Sequence, residues 1–468
     1  MVGIISSGVY VPMYRLTRSV FGKNEKGVKA IGAYDEDSIT MGVTAAVNCL
    51  GDFDRQRIDA LFFATTTSPY KEKMGSVIAA YAIDLRRDIV TADFGNSLRA
   101  GTLAIRAALD GVRSGSLKNV LVVVADCRLG SPRSKWESIC GDGAAALLIG
   151  DSEEILAEIE SSCSVCDEMM DVWRTENDRF IRSAEERFLS KEAYGRVCID
   201  AINGLLKKSG SSKADFSELL ISLPDTRAQA DISATFGIKM NRELVDYMSS
   251  NVGDTGVAYP LMLLHAALET SEKDRRLVLV SYGSGSDALL IRIIGNSCKQ
   301  LKSKGIGSYL ACGKTVSDYQ TYLRWREIIP VERPPRPLGL TAAPALWRET
   351  DQNLRMLGGK CKICGSIQFP PQRVCTRCHS RDNFERVRMS DRRSTLFTYS
   401  MDFVSWAPEV PTVTAIVNFE GGGRAQCLMA DVDTNEIQID MPLEMTLRKM
   451  DFREGINIYS WKCKRTTQ

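Results

Sequence analysis

Two segments of this chain repeat one another in kind and order, and that repeat limits the fold more than any other feature. GTLAIRAALDGVRSGSLKNVLVVVAD (101–126) and GVAYPLMLLHAALETSEKDRRLVLVSYG (256–283) each run from a small-residue helix with Ala-Ala-Leu, through a polar loop, to an unbroken apolar strand. Ahead of them, TAAVNCLGDFDRQRIDALFFAT (44–65) and DAINGLLKKSGSSKADFSELLISL (200–223) both read as helix, loop and strand. Behind them, GDGAAALLIG (141–150) and GSGSDALLIRI (283–293) both read as a glycine turn and a strand. Runs such as VLVVVA and LVLV show no alternation, so they suit strands covered on both faces. The pattern predicts an α/β fold made of two related halves. It is a five-layer αβαβα sandwich with one buried helix from each half between two sheets. A helix passes between sheets most easily where its side chains are small, as at Ala100, Gly101, Ala104, Ala107 and Ala108.

The repeat ends before IIPVERPPRPLGL (328–340), whose four prolines can continue neither a helix nor a central strand. The expected organisation is two related halves, 1–160 and 161–328, a linker at 329–342, a helix and zinc ribbon at 343–385, and a barrel at 386–468. The ribbon reading rests on Cys361, Cys364, Cys375 and Cys378, a C-x2-C-x10-C-x2-C pattern. Each knuckle turns two thiolates toward one ion, and four thiolates close the tetrahedral shell of a structural zinc. His379 follows directly but is not needed as a ligand. The helix is expected over APALWRETDQNLRM (343–356). After the ribbon, five short strand-like runs with a Gly421-Gly422-Gly423 turn suggest a five-stranded OB-type β-barrel.

Charge narrows the partners. The formal net charge is +2 over 468 residues, which gives no general attraction to nucleic acid or membrane. The ribbon region is locally basic, from Lys360 to Arg393. That patch suits phosphates, a solvated face or, as a rival reading, single-stranded nucleic acid. No signal peptide and no apolar run of membrane-spanning length is read. Fourteen cysteines scattered along a long chain point to a reducing, cytoplasmic setting. Only His265 and His379 could serve a histidine-based mechanism, and His265 lies within an apolar helix as a core residue.

GIISSGVYVP, ATTTSPY, LRAGT, GDGAAALLIG, NVGDTGVAYPLMLLHAAL, YGSGSDALLI and SYLACGKTVSDYQTYLRWR together resemble the thiolase superfamily over about residues 1–328. The resemblance is greatest to its hydroxymethylglutaryl-CoA synthase branch and the related ketoacyl synthases. The helix–ribbon–barrel order resembles a small acyl-CoA-associated family that partners thiolases. The resemblance implies an acyl-CoA pocket, with coenzyme A as part of the substrate, and a homodimer formed through the thiolase-like part. It also assigns positions to the family's catalytic groups. The cysteine position holds Leu98, beside Ser97; the glutamate position holds Thr66; the histidine position holds Ser222; the asparagine position holds Asp254.

Three readings follow. The chain is a non-catalytic partner of a cysteine-bearing thiolase subunit. Or it performs C–C chemistry without an acyl-enzyme, with Asp254 as base and hydroxyl donors among Ser97, Thr66, Ser222, Tyr259 and Tyr282. Or an unaligned cysteine, Cys127 or Cys140, serves as nucleophile. Plainer roles stand beside these: Ser97 and Asp254 as helix caps, and Thr66 and Ser222 as strand-end fillers. No function is read for Cys163-x-x-Cys166.

Overall fold

The computed structural model describes every residue except 24, 239, 296–300, 302, 331–341, 406, 454–455 and 467–468. Most of the proline-rich linker therefore lies outside the described residues. The described chain divides into two units. Met1–Gly32, Asp37–Ile78 and Leu85–Asp318 form the first; Ala33–Glu36, Ala79–Asp84 and Tyr319–Gln468 form the second.

Nine strands build the main sheet of the first unit: β1 (Val2–Tyr10), β2 (Ala60–Ala64), β3 (Val90–Phe94), β4 (Asn119–Asp126), β5 (Gly143–Asp151), β6 (Ala157–Cys166), β7 (Glu218–Ser222), β8 (Arg276–Tyr282) and β9 (Gly285–Ile293). Their order is β7-β8-β9-β6-β1-β5-β4-β2-β3. The first half runs β3-β2-β4-β5-β1 and the second β7-β8-β9-β6, so each strand of the second half holds the place of its counterpart in the first. Met240, in an isolated parallel bridge to Leu219, stands where the first half has β3. A single pairing, Ile4 with Ala157, joins the two half-sheets. The expected boundary at residues 160 and 161 falls inside β6.

Four helices complete the layers. α1 (Ser38–Leu50) and α2 (Ala100–Arg113) pack on opposite faces of the first half-sheet. α3 (Gly195–Ser209) covers the outer face of the second, and α4 (Tyr259–Thr270) touches strands of both. In α4 every residue from Tyr259 to Leu268 is buried, which accounts for its apolar character on all sides. α2 differs from the expected enclosed helix. Its small residues pack inward, but Arg106, Asp110 and Arg113 remain exposed on its other side. Gly101 allows the close approach: a Cβ there would sit 3.1 Å from Val124 Cγ1 and 3.2 Å from the Val257 carbonyl oxygen.

In the second unit, Leu357–Cys361 pairs with Ile367–Gln368 and Phe384–Arg388 in the ribbon's three-stranded antiparallel sheet. Five further strands run in the order Arg424–Leu428, Thr412–Phe419, Ser394–Asp402, Pro442–Arg453, Ile456–Arg465. A bridge between Met429 and Cys463 links the two ends and nearly closes the barrel. The single helix expected at 343–356 is two short ones, Ala343–Arg348 and Thr350–Asn353. Between them, the Thr350 hydroxyl bonds back to the Leu346 carbonyl, and Met356 takes a left-handed φ of 53° that ends the segment. In the same unit, Arg448 of the Pro442–Arg453 strand is fully buried and ion-pairs with Asp35, Glu36 and Asp431.

Candidate active site

Most candidate residues of the first unit lie at or just after the carboxyl end of a strand, and Asp254 and Tyr259 lie at the approach to α4. This end of an α/β sheet is where backbone N–H groups and loops converge on ligands. Thr65, Thr66 and Thr67 follow β2; Ser97 and Leu98 follow β3; Cys127 and Arg128 follow β4; Ser222 ends β7; Tyr282 ends β8.

The helix head offers no activated nucleophile. Ser97 donates its hydroxyl to the Gly283 carbonyl at 2.9 Å and accepts from the Arg99 amide at 3.3 Å, so it braces the turn ahead of α2, whose N-cap is Arg99 rather than the expected Ser97. Gly283 permits this contact, since a Cβ there would lie 2.8 Å from both Leu98 N and Ser97 Oγ. Arg99 braces the same turn through Gly283 O, at 2.8 Å, and the buried Asp287, at 3.0 Å. Leu98, where the resemblance places a cysteine, lines two hollows at once. One is an open cleft of about 790 Å³; the other is an inner cavity of about 140 Å³.

Thr66 is committed elsewhere. Its hydroxyl and amide both donate to Asp126, at 2.9 and 2.7 Å. The fully buried Asp126 also accepts from the Thr65 and Thr67 hydroxyls and from the Val257 amide. That carboxylate ties the loop after β2 to the turn ahead of α4.

The inner cavity gathers the other candidates: Ser222, Asp254, Tyr259 and Tyr282, with Arg18 and Gln229. Asp254 Oδ1 accepts the Gly256 amide at 2.8 Å and so ties down the start of the turn that precedes α4, whose N-cap is Thr255. Its Oδ2 lies 3.7 Å from Arg128 Nη1, in an ion pair whose side chains are 4% and 20% exposed for Arg128 and Asp254. Burial raises the Tyr259 and Tyr282 phenols above their ordinary range, so both stay neutral donors. Gln229 Oε1 is buried without a hydrogen-bond partner, and the Tyr282 phenol faces the Asp171 carboxyl. The sequence reading passed over Arg128 and Asp126; the available signal was a charged pair directly after an unbroken apolar strand.

The remaining candidates separate cleanly. Cys140 is buried, and desolvation pushes its thiol up to about 12, which leaves no thiolate at neutral pH. The Cys127 amide donates to Thr67 Oγ1 at 3.0 Å. His265 is a core residue: Nδ1 lies 2.8 Å from Ser7 Oγ, and burial pushes the ring down to about 4. In the second unit, the Sγ atoms of Cys361, Cys364, Cys375 and Cys378 all lie within 4.8 Å of one another. Two of their separations are 3.6 Å, close to the ~3.8 Å edge of a tetrahedron of ~2.3 Å Zn–S bonds. These four residues would hold a structural zinc, whose chemistry is to cross-link the knuckles.

Comparison with known proteins agrees with this architecture. Residues 352–385 match the family described as ChsH2, rubredoxin-like zinc ribbon domain. The hydroxymethylglutaryl-CoA synthase of Pyrococcus furiosus is 30% identical over 338 residues, 69% of this chain and 96% of that protein. The chain belongs to the hydroxymethylglutaryl-CoA synthase family. The synthase of Methanocaldococcus jannaschii is likewise 30% identical, over 70% of this chain and 99% of its own. Among solved structures, an HMG-CoA synthase complexed with CoA superimposes with a TM-score of 0.62 at 18% identity, covering 71% of this chain and 91% of that one. The 3-oxoacyl-[acyl-carrier-protein] synthase III of Aquifex aeolicus gives 0.55 at 19% identity, covering 62% and 100%. Both share the fold. Among the described residues no helix is long and apolar enough to cross a membrane.

Proposed function

We propose that the first unit binds an acyl-CoA thioester and makes or breaks a C–C bond beside its carbonyl without forming an acyl-enzyme. Leu98 carries this reading: the helix head that a covalent mechanism needs holds a side chain that cannot carry an acyl group, while a carboxylate, Asp254, lines the same cavity. Asp254 is the base. It removes a proton from the carbon next to the thioester, or from the hydroxyl of a β-hydroxyacyl thioester whose Cα–Cβ bond then breaks. In either case the electron pair is left on the thioester as an enolate, and a carbonyl compound is the electrophile or the second product. Tyr259 and Tyr282 supply neutral O–H donors beside it. The test is deuterium exchange into acetyl-CoA in D2O, read by mass spectrometry. Exchange by the wild-type chain and its loss in Asp254→Asn are expected; exchange unaffected by Asp254→Asn would overturn the assignment.

A second reading, a non-catalytic partner of a cysteine-bearing thiolase subunit, is favoured by one observation. The hydroxyls of Thr66 and Ser97 are both committed to internal acceptors. It expects no exchange by the chain alone. A homodimer formed along β3 is consistent with either reading, since that strand ends the sheet and Val90 is 52% exposed. The ribbon is read as a structural zinc site and the setting as cytoplasmic, in keeping with thirteen described cysteines that are all free. Nucleic acid is not favoured. Four cations of the basic ribbon patch are paired locally, in Lys360–Glu385, Arg373–Asp382, Arg386–Asp351 and Arg388–Asp391.

A further inference from the structure

We propose that Arg128 is a catalytic residue of this site, the donor that holds the thioester oxygen as it becomes an enolate; the inference rests on the C–C reading above. The side chain is 95% buried by exposure, with only 5% of the residue open to solvent, yet it lines the cleft beside Thr66, Ser97 and Leu98. Its Nη1 is buried and has no hydrogen-bond acceptor. A guanidinium N–H taken out of water and left unpaired is costly, and such a cost persists where the group meets a ligand.

The surroundings fix the charge without occupying the donor. Asp126, Cys140, Asp171, Tyr194 and Asp254 face Arg128. Asp126 is already engaged by five N–H and O–H donors. Asp254 Oδ1 is engaged by Gly256, and its Oδ2 stands 3.7 Å from Nη1, beyond hydrogen-bond length. The Trp136 ring lies 5.7 Å from the guanidinium and restricts it from another side. Gly256, with φ +59°, makes the space: a Cβ there would lie 2.7 Å from Arg128 Cδ. Burial acts against the cation, but the Asp254 and Asp126 carboxylates act for it and the group stays charged.

The geometry divides the labour between two adjacent groups. Asp254 Oδ2 takes the proton. Arg128 Nη1 donates to the oxygen on which the freed electron pair settles, and no proton leaves the guanidinium. An ionised donor is about twice as strong as a neutral one. Lysine keeps the charge but not the planar fork, so Arg128→Lys should restore part of the effect.

The experiment uses the full chain and acetoacetyl-CoA, a β-ketoacyl thioester whose enolate absorbs in the ultraviolet. Absorbance is followed against pH with the ligand free and protein-bound. The wild-type chain is expected to lower the pH at which the bound ligand enolises by about one unit, a tenfold rise in enolate fraction. Asp254→Asn should keep that shift, Arg128→Lys part of it, and Arg128→Met none. A bound wild-type complex with no shift overturns the proposal, even if Arg128→Met fails to fold; so does a folded Arg128→Met with the full shift. The deuterium-exchange test fails separately: no exchange by the wild-type chain, with its enolate shift intact, removes the C–C reading and leaves Arg128 as an enolate donor.

Discussion

Replacing Asp254 or Arg128 should expose how strongly the two are coupled. Their charges lie 3.7 Å apart, with side chains 20% and 4% exposed. At an effective dielectric of ~20 the Coulomb attraction across that distance is about 4.5 kcal/mol. Asp254→Asn removes the charge but keeps an oxygen for the Gly256 amide, so the tie to that turn is kept. Arg128→Met keeps most of the volume beside Trp136. Each single variant leaves one buried charge without its partner, whereas the double variant leaves neither. A double-mutant cycle should therefore return a coupling energy of about 2–4 kcal/mol, smaller than the raw Coulomb figure because Asp254 is partly solvated. The assay is urea unfolding at low salt, since guanidinium chloride would screen the interaction. A coupling energy below about 0.5 kcal/mol would refute the claim that these groups form one electrostatic unit.

Three further outcomes follow from buried charges and thiols. The His265 ring, with a folded value of about 4 against ~6.5 in the unfolded chain, stays neutral in the fold. Its contribution is present above pH ~6.5 and lost on acidification toward pH 4, up to about 3 kcal/mol; an NMR titration of the chain's two histidines should show the His265 signal fixed from pH 8 to 5. Arg448→Met should lower the stability of the second unit by about 3–5 kcal/mol in thermal unfolding, because it strands buried Asp35, Glu36 and Asp431. Burial alone would raise the Asp35 carboxyl, but Arg448 and Lys462 hold it below its ordinary value. That stabilisation is present above pH ~4 and fades as pH falls further, and Arg448→Met should weaken this acid dependence. Chelation, or Cys361→Ser, should release zinc measurable by elemental analysis and loosen residues 357–388 in hydrogen exchange; a chain with no zinc and unchanged exchange would contradict the ribbon assignment.

The residues that could be read in advance are those whose role follows from local pattern. The duplicated helix–strand text gives the two half-sheets their common order, because unbroken apolar runs such as 120–125 have no solvent face on which to slip register. The four cysteines are legible because their spacing alone brings the thiolates together. Asp126 and Arg128 were not, because partners from 60 to 131 positions away define their roles: Thr66 holds Asp126 from one side and Val257 from the other. Ser97 was legible as a cap or a nucleophile but not as the brace of a turn. The deciding partner, Gly283, belongs to the opposite half of the repeat. The assignment of Ala33–Glu36 and Ala79–Asp84 to the second unit also had no local signature, since Asp35 is placed by Arg448, more than 400 residues downstream.

Mass spectrometry of both acetyl-CoA and the intact chain, after incubation together in D2O and return of the chain to H2O, tests the central claim most directly. Deuterium should be retained in the acetyl group while the chain carries no acetyl adduct, as a base at Asp254 and a leucine at position 98 require. An acetyl adduct mapped to any cysteine of the first unit would contradict the account.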